Sequence, residues 1–167
     1  MIDPEEFLQF LKNRRTIRQF QTKIISDKEI NMILEAGRWA PSASNRQPWE
    51  FLIIKDEMIK QELVKIARYG KFIKNAPIVI AIIGKIKQNP RWYIQDTTLV
   101  SMNMMLMAWA LGIGTCWIGT MDREKARKVL NLDENHFVLT VLPMGYIKGE
   151  IPKITYRKPL EQITREI

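Results

Sequence analysis

Cysteine and histidine are nearly missing from this chain. Its 167 residues hold one of each, Cys116 and His136. A lone cysteine excludes an intramolecular disulfide and a cysteine-cluster metal site. A lone histidine excludes a multi-histidine centre, so no metal site is expected. There is no GxGxxG turn of the dinucleotide-binding kind. No repeat, low-complexity stretch or Gly/Ser linker divides the chain, and residues 1–167 read as a single domain. A long apolar run is missing too. The most apolar stretch, 99–114, is broken by Ser101 and Asn103 and falls short of the roughly 20 residues of a span. The first ten residues carry Asp3, Glu5 and Glu6 and lack the basic-then-apolar order of a signal peptide. A cytoplasmic protein with no membrane partner is therefore expected.

What is present is charge of one sign on a globular background. Lys and Arg number 26 against 18 Asp and Glu, giving a net charge of +8. Hydrophobic residues make up 46% and charged residues 26%, which excludes wholesale disorder. Such a balance fits nucleic acid, an anionic surface or a phosphorylated small ligand. The basic residues are scattered from Lys12 to Lys158, and no helix-turn-helix or RNA-binding signature accompanies them. No nucleic-acid partner is expected; a basic nucleic-acid-binding protein is the weaker alternative.

Asp3-Pro4-Glu5-Glu6 opens a helix, with Asp as N-cap and Pro in the first turn. Residues 14–20 break helical periodicity and read as extended. Ser26-Asp27-Lys28-Glu29 is a capping box that starts a second helix. Trp49 to Ile54 reads as a strand, Glu57 to about Arg68 as a helix, and Pro77 to Ile83 as a buried strand. Tyr93 to Leu111 is a long helix, apolar almost all round after Leu99, so it is central or covered by a second subunit. Gly112 and Gly114 end it. Thr115 to Gly119 is a short extended piece, Asp122 caps a helix to Leu130, and His136 to Pro143 alternates as a strand. From residue 149 periodicity is lost, yet Ile151, Ile154, Tyr156, Leu160 and Ile163 are too apolar for a free tail. Segment 149–167 is therefore expected to lie extended on a neighbouring surface or subunit. Helices and strands mix without a repeated βαβ unit, an α+β pattern.

Three segments carry candidate chemistry. In an extended chain Arg14, Thr16 and Arg18 share one side, and forked guanidinium donors suit a phosphate or an electron-rich ring edge. The loop from Pro41 to Pro48 has small residues that let backbone approach a flat ligand. Gly112 to Thr120 sets glycines around a short apolar strand, a device for close backbone approach. Cys116 reads as a buried structural thiol and His136 as structural. The methionines at 102, 104, 105 and 107 read as packing.

Taken together, RRTIRQF, then APSASNRQPWEF, then a long apolar helix running into LGIGTCWIG, with LPMGY and YRKPL after it, resemble the FMN-dependent nitroreductase family. The resemblance covers nearly the whole chain, as a short member. It implies a three-layer α/β/α sandwich, with a mixed, mainly antiparallel sheet and the long helix at a homodimer interface. FMN would lie between the subunits. Carried over by motif, the cofactor contacts are Arg14, Arg15, Thr16 and Arg18; Pro41, Ser42, Ala43, Asn45 and Gln47 from the other subunit; and Trp117, Ile118, Gly119 and Thr120. Arg157 or Lys158 would complete the phosphate site. The family's middle contact falls on Arg68 or Lys71. The family shares no side-chain acid or base, so no catalytic residue is assigned. The implied reaction is a ping-pong hydride transfer through flavin N5. It runs from NADH or NADPH to nitroaromatic, quinone or related electron-poor acceptors. A flavin-binding protein of the same fold without NAD(P)H turnover is the alternative. The stretch 84–91 is brief where longer members insert helices.

Overall fold

The computed structural model describes residues 2–167; Met1, the first residue read for targeting signals, lies outside them. Chain order is α1 (Pro4–Asn13), α2 (Asp27–Arg38), β1 (Trp49–Ile54), α3 (Glu57–Ile66), β2 (Ile78–Lys85), α4 (Tyr93–Ala110), β3 (Ile113–Thr115), α5 (Arg123–Val129) and β4 (His136–Tyr146). The caps read from the sequence form. The Asp3 carboxylate accepts from the Glu5 and Glu6 amides, and both halves of the Ser26–Glu29 capping box are made.

The strands form one sheet in the order β1-β2-β4-β3, antiparallel at every pairing. The mixed character expected of it shrinks to one parallel bridge, Thr16 to Thr115. β2 is central, and its apolar run is explained by burial on both faces. Val79, Ala81 and Ile83 face a core completed by Leu63 of α3 and Ala126 of α5. Ile78, Ile80 and Ile82 face a second core completed by Ile30 and Ile33 of α2 and Val100, Met104 and Ala108 of α4. Helix pairs thus sandwich the sheet, giving the three-layer α+β fold.

Three boundaries move. α3 stops at Ile66 because Ala67 turns extended and bridges Met121. β3 lies earlier than expected, at 113–115, and past it the ladder loosens: Cys116 and Ile118 still donate to the Pro143 and Val141 carbonyls, at 3.4 and 3.3 Å. β4 runs through Pro143 to Tyr146 rather than ending there. A proline is tolerated because the Pro143 carbonyl faces Cys116, so its missing N–H faces the same side, just where β3 has ended.

The segment 14–20 is seated on glycine. Gly114 of β3 and Gly145 of β4 are direct partners in register. A Cβ on Gly114 would sit 2.6 Å from Ile17 Cβ, and one on Gly145 would sit 2.8 Å from Phe20 Cβ. Two bare backbones side by side make the flat floor that Ile17 and Phe20 fill. The Ile17 amide donates to Thr115 O at 2.9 Å and the Gln21 amide to Tyr146 O at 2.8 Å. The glycines around β3 were expected to serve a ligand. Gly114 instead serves Ile17, and Gly112, at φ +72°, is the left-handed end of α4.

Candidate functional site

Side chains on the seated segment divide by direction. Ile17 and Phe20 go inward, while Arg18 projects into a cavity of about 250 Å³. Its other walls are Tyr69, Phe72, Cys116, Trp117, Ile118, Gly119 and Thr120. The Arg18 guanidinium stands 6.0 Å from the Phe72 ring centroid. Two segments singled out from sequence, Arg18 and Trp117–Thr120, therefore meet at one wall. Gly119 is unobstructed on its side-chain face: a Cβ there would meet only Trp117, at 3.6 Å. Among the described residues its amide has no backbone partner, while its carbonyl takes Arg123 Nη2 at 3.3 Å. Cys116 is buried in this wall. Burial pushes its thiol pKa up against the opposing pull of Arg18 and Arg14, so it stays protonated at neutral pH.

Beside this cavity the cations crowd. Arg14 is half-buried, and its pKa is lowered first by that burial and then by the charges of Arg15 and Arg157. Among the described residues its Nη1 is buried without a hydrogen-bond partner. A buried guanidinium nitrogen with no acceptor, among like charges, is a costly arrangement that an anion would relieve. Thr16 lines an adjoining hollow with Arg18. Arg15 is turned elsewhere: its guanidinium donates to the carbonyls of Lys12, Arg14 and Pro152, pinning the tail against the end of α1. Arg157 lies across α1 in a groove that includes Gln9, Lys12 and Arg15, and donates to Thr155. Lys158 is exposed.

The loop from Pro41 to Gln47 is not part of this cavity. It is held in a strained form, with Ser44, Asn45 and Gln47 at φ of 53, 51 and 51°. The Gln47 amide donates to Ser42 Oγ, and Gln47 Nε2 donates to the Asn45 oxygens. The Ala43 amide donates to Asp96 Oδ1 at 3.0 Å, and Asn89 Nδ2 donates to Asp96 Oδ2 at 2.8 Å. Asp96 sits in the first turn of α4 and is 3% exposed. The loop leads into β1 at the Lys85 end of β2, where Lys85 N donates to Pro48 O. Thr16 bridges Thr115, which pairs with Met144, which pairs with Ile78 at the other end of β2. The seven steps from Ile78 to Lys85, at roughly 3.4 Å each, put about 24 Å between these ends.

Several of these residues escaped sequence reading. In the middle segment the wall is made by Tyr69 and Phe72, not Arg68 or Lys71. The Arg68 amide instead donates to Thr120 O. Asp96 carries no local mark in the sequence beyond being an acid near a helix start. Its burial and its reach to Ala43 depend on folding, so only the first-turn acid was visible.

Fold and site define an α+β protein whose cationic, aromatic-walled cavity lies beside an edge strand. The nitroreductase family model matches residues 11–146, and the chain belongs to the nitroreductase family. It is 35% identical over 153 residues to an Archaeoglobus fulgidus protein provisionally named NADH dehydrogenase/NAD(P)H nitroreductase, covering 87% of this chain and 88% of that one. A solved FMN-dependent nitroreductase from Clostridium difficile is 29% identical, with a TM-score of 0.78 over 90% of this chain and 91% of its own. A solved structure from Streptococcus pneumoniae, at 23% identity and a TM-score of 0.86 over 96% and 99%, shares the fold. Among the described residues no helix is long and apolar enough to cross a membrane.

Proposed function

We propose that the chain is an FMN-dependent oxidoreductase that uses NAD(P)H to reduce nitroaromatic, quinone or related electron-poor acceptors. The observation that carries this reading is the Arg14 nitrogen, buried and unpartnered among Arg15 and Arg157 beside an aromatic-walled cavity. A phosphate at the cation cluster and a flat ring against the cavity wall satisfy both features. The A. fulgidus relative's name and the C. difficile structure's title support NAD(P)H and FMN respectively.

FMN, when bound, supplies hydride acceptance and donation between the nicotinamide and the acceptor. The chain's residues do the holding and polarising. Arg14, with Arg157 or Lys158 from the tail, holds the phosphate. Thr16 adds a hydroxyl, and Arg15 acts by fastening residue 152 beside them. Arg18 sets a fixed positive charge in the cavity wall, which favours negative charge gained on reduction. Trp117, Ile118, Gly119 and Thr120 flank the ring, with the free Gly119 amide as a donor. Tyr69 and Phe72 take the place of the middle polar contact.

The cavity is smaller than the roughly 300–1,000 Å³ usual for ligand sites. Its missing side is assigned to a second copy, whose Pro41, Ser42, Ala43, Asn45 and Gln47 approach the ring. Apolar surface supports this dimer. α1 buries none of its residues, leaving Phe7, Leu8 and Leu11 exposed, and Leu99 and Met102 of α4 are also exposed. The tail is pinned to α1 of its own chain at Pro152, and its exposed Leu160 and Ile163 are left for the partner to cover.

The test is the visible spectrum of purified protein with added FMN, followed by bleaching with NADH or NADPH and recovery with a quinone. Flavin binding without bleaching leaves a flavin protein with another donor. No flavin binding refutes the proposal.

A further inference from the structure

A second, larger cavity of about 640 Å³ lies on the other side of the Arg18 segment. Four cations from separate parts of the chain line it: Arg18, Lys60, Lys74 and Lys148. Glu57 is its one acidic lining residue, and it is already paired with Lys60 at 2.6 Å. Lys60 is 2% exposed and also donates to Ala76 O at 3.0 Å. A lysine held that deep, in a wall where three further cations converge, makes a pocket of net positive charge. Asn75 adds an amide to the wall. The cavity is continuous in sequence with the flavin wall at two places. Arg18 borders both cavities, and the short turn that turns Phe72 to one turns Lys74 and Asn75 to the other.

We infer that this cavity is an anion subsite that takes the diphosphate arm of the nucleotide reductant, an assignment that rests on the oxidoreductase reading above. Its volume suits a phosphate-bearing nucleotide fragment. Its position next to the flavin wall lets one dinucleotide present its ring to one cavity and its diphosphate to the other. Lys60 and its Glu57 pair build the floor, while Lys74 and Lys148, both exposed, close on the ligand. The absence of a nucleotide fingerprint in the sequence follows: recognition by scattered lysines leaves no contiguous motif.

The experiment is calorimetric titration of the FMN-loaded protein with ADP, inorganic pyrophosphate and adenosine. The variant is Lys74→Gln with Lys148→Gln, two surface changes that leave Lys60 and the fold in place. ADP and pyrophosphate are expected to bind, more weakly as salt rises, and adenosine not to bind. The double variant should lose roughly tenfold in ADP affinity, and its KM for NAD(P)H should rise by the same factor. Absence of ADP and pyrophosphate binding, or equal affinity in the variant, overturns the inference. Binding of pyrophosphate but not ADP overturns the dinucleotide assignment, since the pocket then takes free inorganic anions. Repeating the titration without FMN separates the two readings. ADP binding in a chain that fails to bind flavin sinks the flavin proposal and leaves the anion pocket standing.

Discussion

Replacing Gly114 by alanine tests how the cation-bearing segment is positioned. The new Cβ would stand 2.6 Å from Ile17 Cβ and 2.7 Å from both its γ carbons. Carbons rest at about 3.5–4.0 Å, so the overlap is close to 1 Å. No rotamer relieves it, because Ile17 Cβ is fixed to the backbone. The segment itself must lift, against the Ile17 N to Thr115 O bond of 2.9 Å. Overpacking of this kind costs about 1–3 kcal/mol. At about 2–4 °C per kcal/mol for a chain of this size, Tm should fall by roughly 2–12 °C. FMN affinity should fall with it, since Arg14, Thr16 and Arg18 ride on the same backbone. Gly119→Ala is the control: its Cβ meets Trp117 at an ordinary 3.6 Å. It should leave Tm unchanged, yet weaken FMN binding if the ring lies against that backbone. Differential scanning calorimetry and flavin fluorescence titration measure both. A Gly114→Ala protein that melts with the wild type refutes the packing argument.

Other expectations follow from single groups. Arg14→Gln removes a crowded, unpartnered guanidinium, so the FMN-free protein should melt no lower than wild type. FMN affinity should drop roughly 10- to 100-fold, the equivalent of a charge-assisted bond of about 1.5–3 kcal/mol. Asp96→Ala should expose the Ala43 amide, read as faster hydrogen exchange there, and weaken FMN binding through the loosened loop. Glu29 is held to about 2 by the hydrogen bonds from Ser26 first and Tyr146 second. With its folded value depressed, its stabilisation is full above the unfolded value of about 4.3 and fades as pH falls toward 2. Tyr146→Phe should therefore move the onset of acid unfolding to higher pH, seen by circular dichroism.

Legibility in the sequence tracked how local each cause was. The caps at Asp3 and Ser26 depend on neighbours within three residues and were readable as written. β2 showed itself because burial on both faces leaves a continuous apolar run. The Arg18 and Trp117–Thr120 segments stood out singly, but their meeting depends on Ile17 settling on Gly114, a contact 97 positions apart that no spacing rule encodes. Pro143 looked like a strand end, because the side its nitrogen faces is set by where β3 stops. Tyr69 and Phe72 were passed over because a polar residue was expected there, and aromatic residues carry no such mark.

The strongest remaining consequence concerns the second copy proposed to complete the Arg18 cavity. The loop 41–47 stands at the Lys85 end of β2, about 24 Å along the strand from the Arg14–Thr16 end, and it lines no part of the Arg18 cavity of its own chain. If the loop contributes, it does so from a second copy, and FMN affinity must depend on association. Leu99→Glu with Met102→Glu puts charge on two apolar side chains of α4 that are 45% and 46% exposed in the single chain. Both are already open to solvent there, so the isolated fold should keep its helical circular dichroism. Buried against a partner, two carboxylates would each demand desolvation, and association should fail. Sedimentation should then show a monomer, and flavin titration a loss of at least tenfold in affinity. A monomeric variant that binds FMN as tightly as wild type would place the whole site within one chain and remove the loop residues from it.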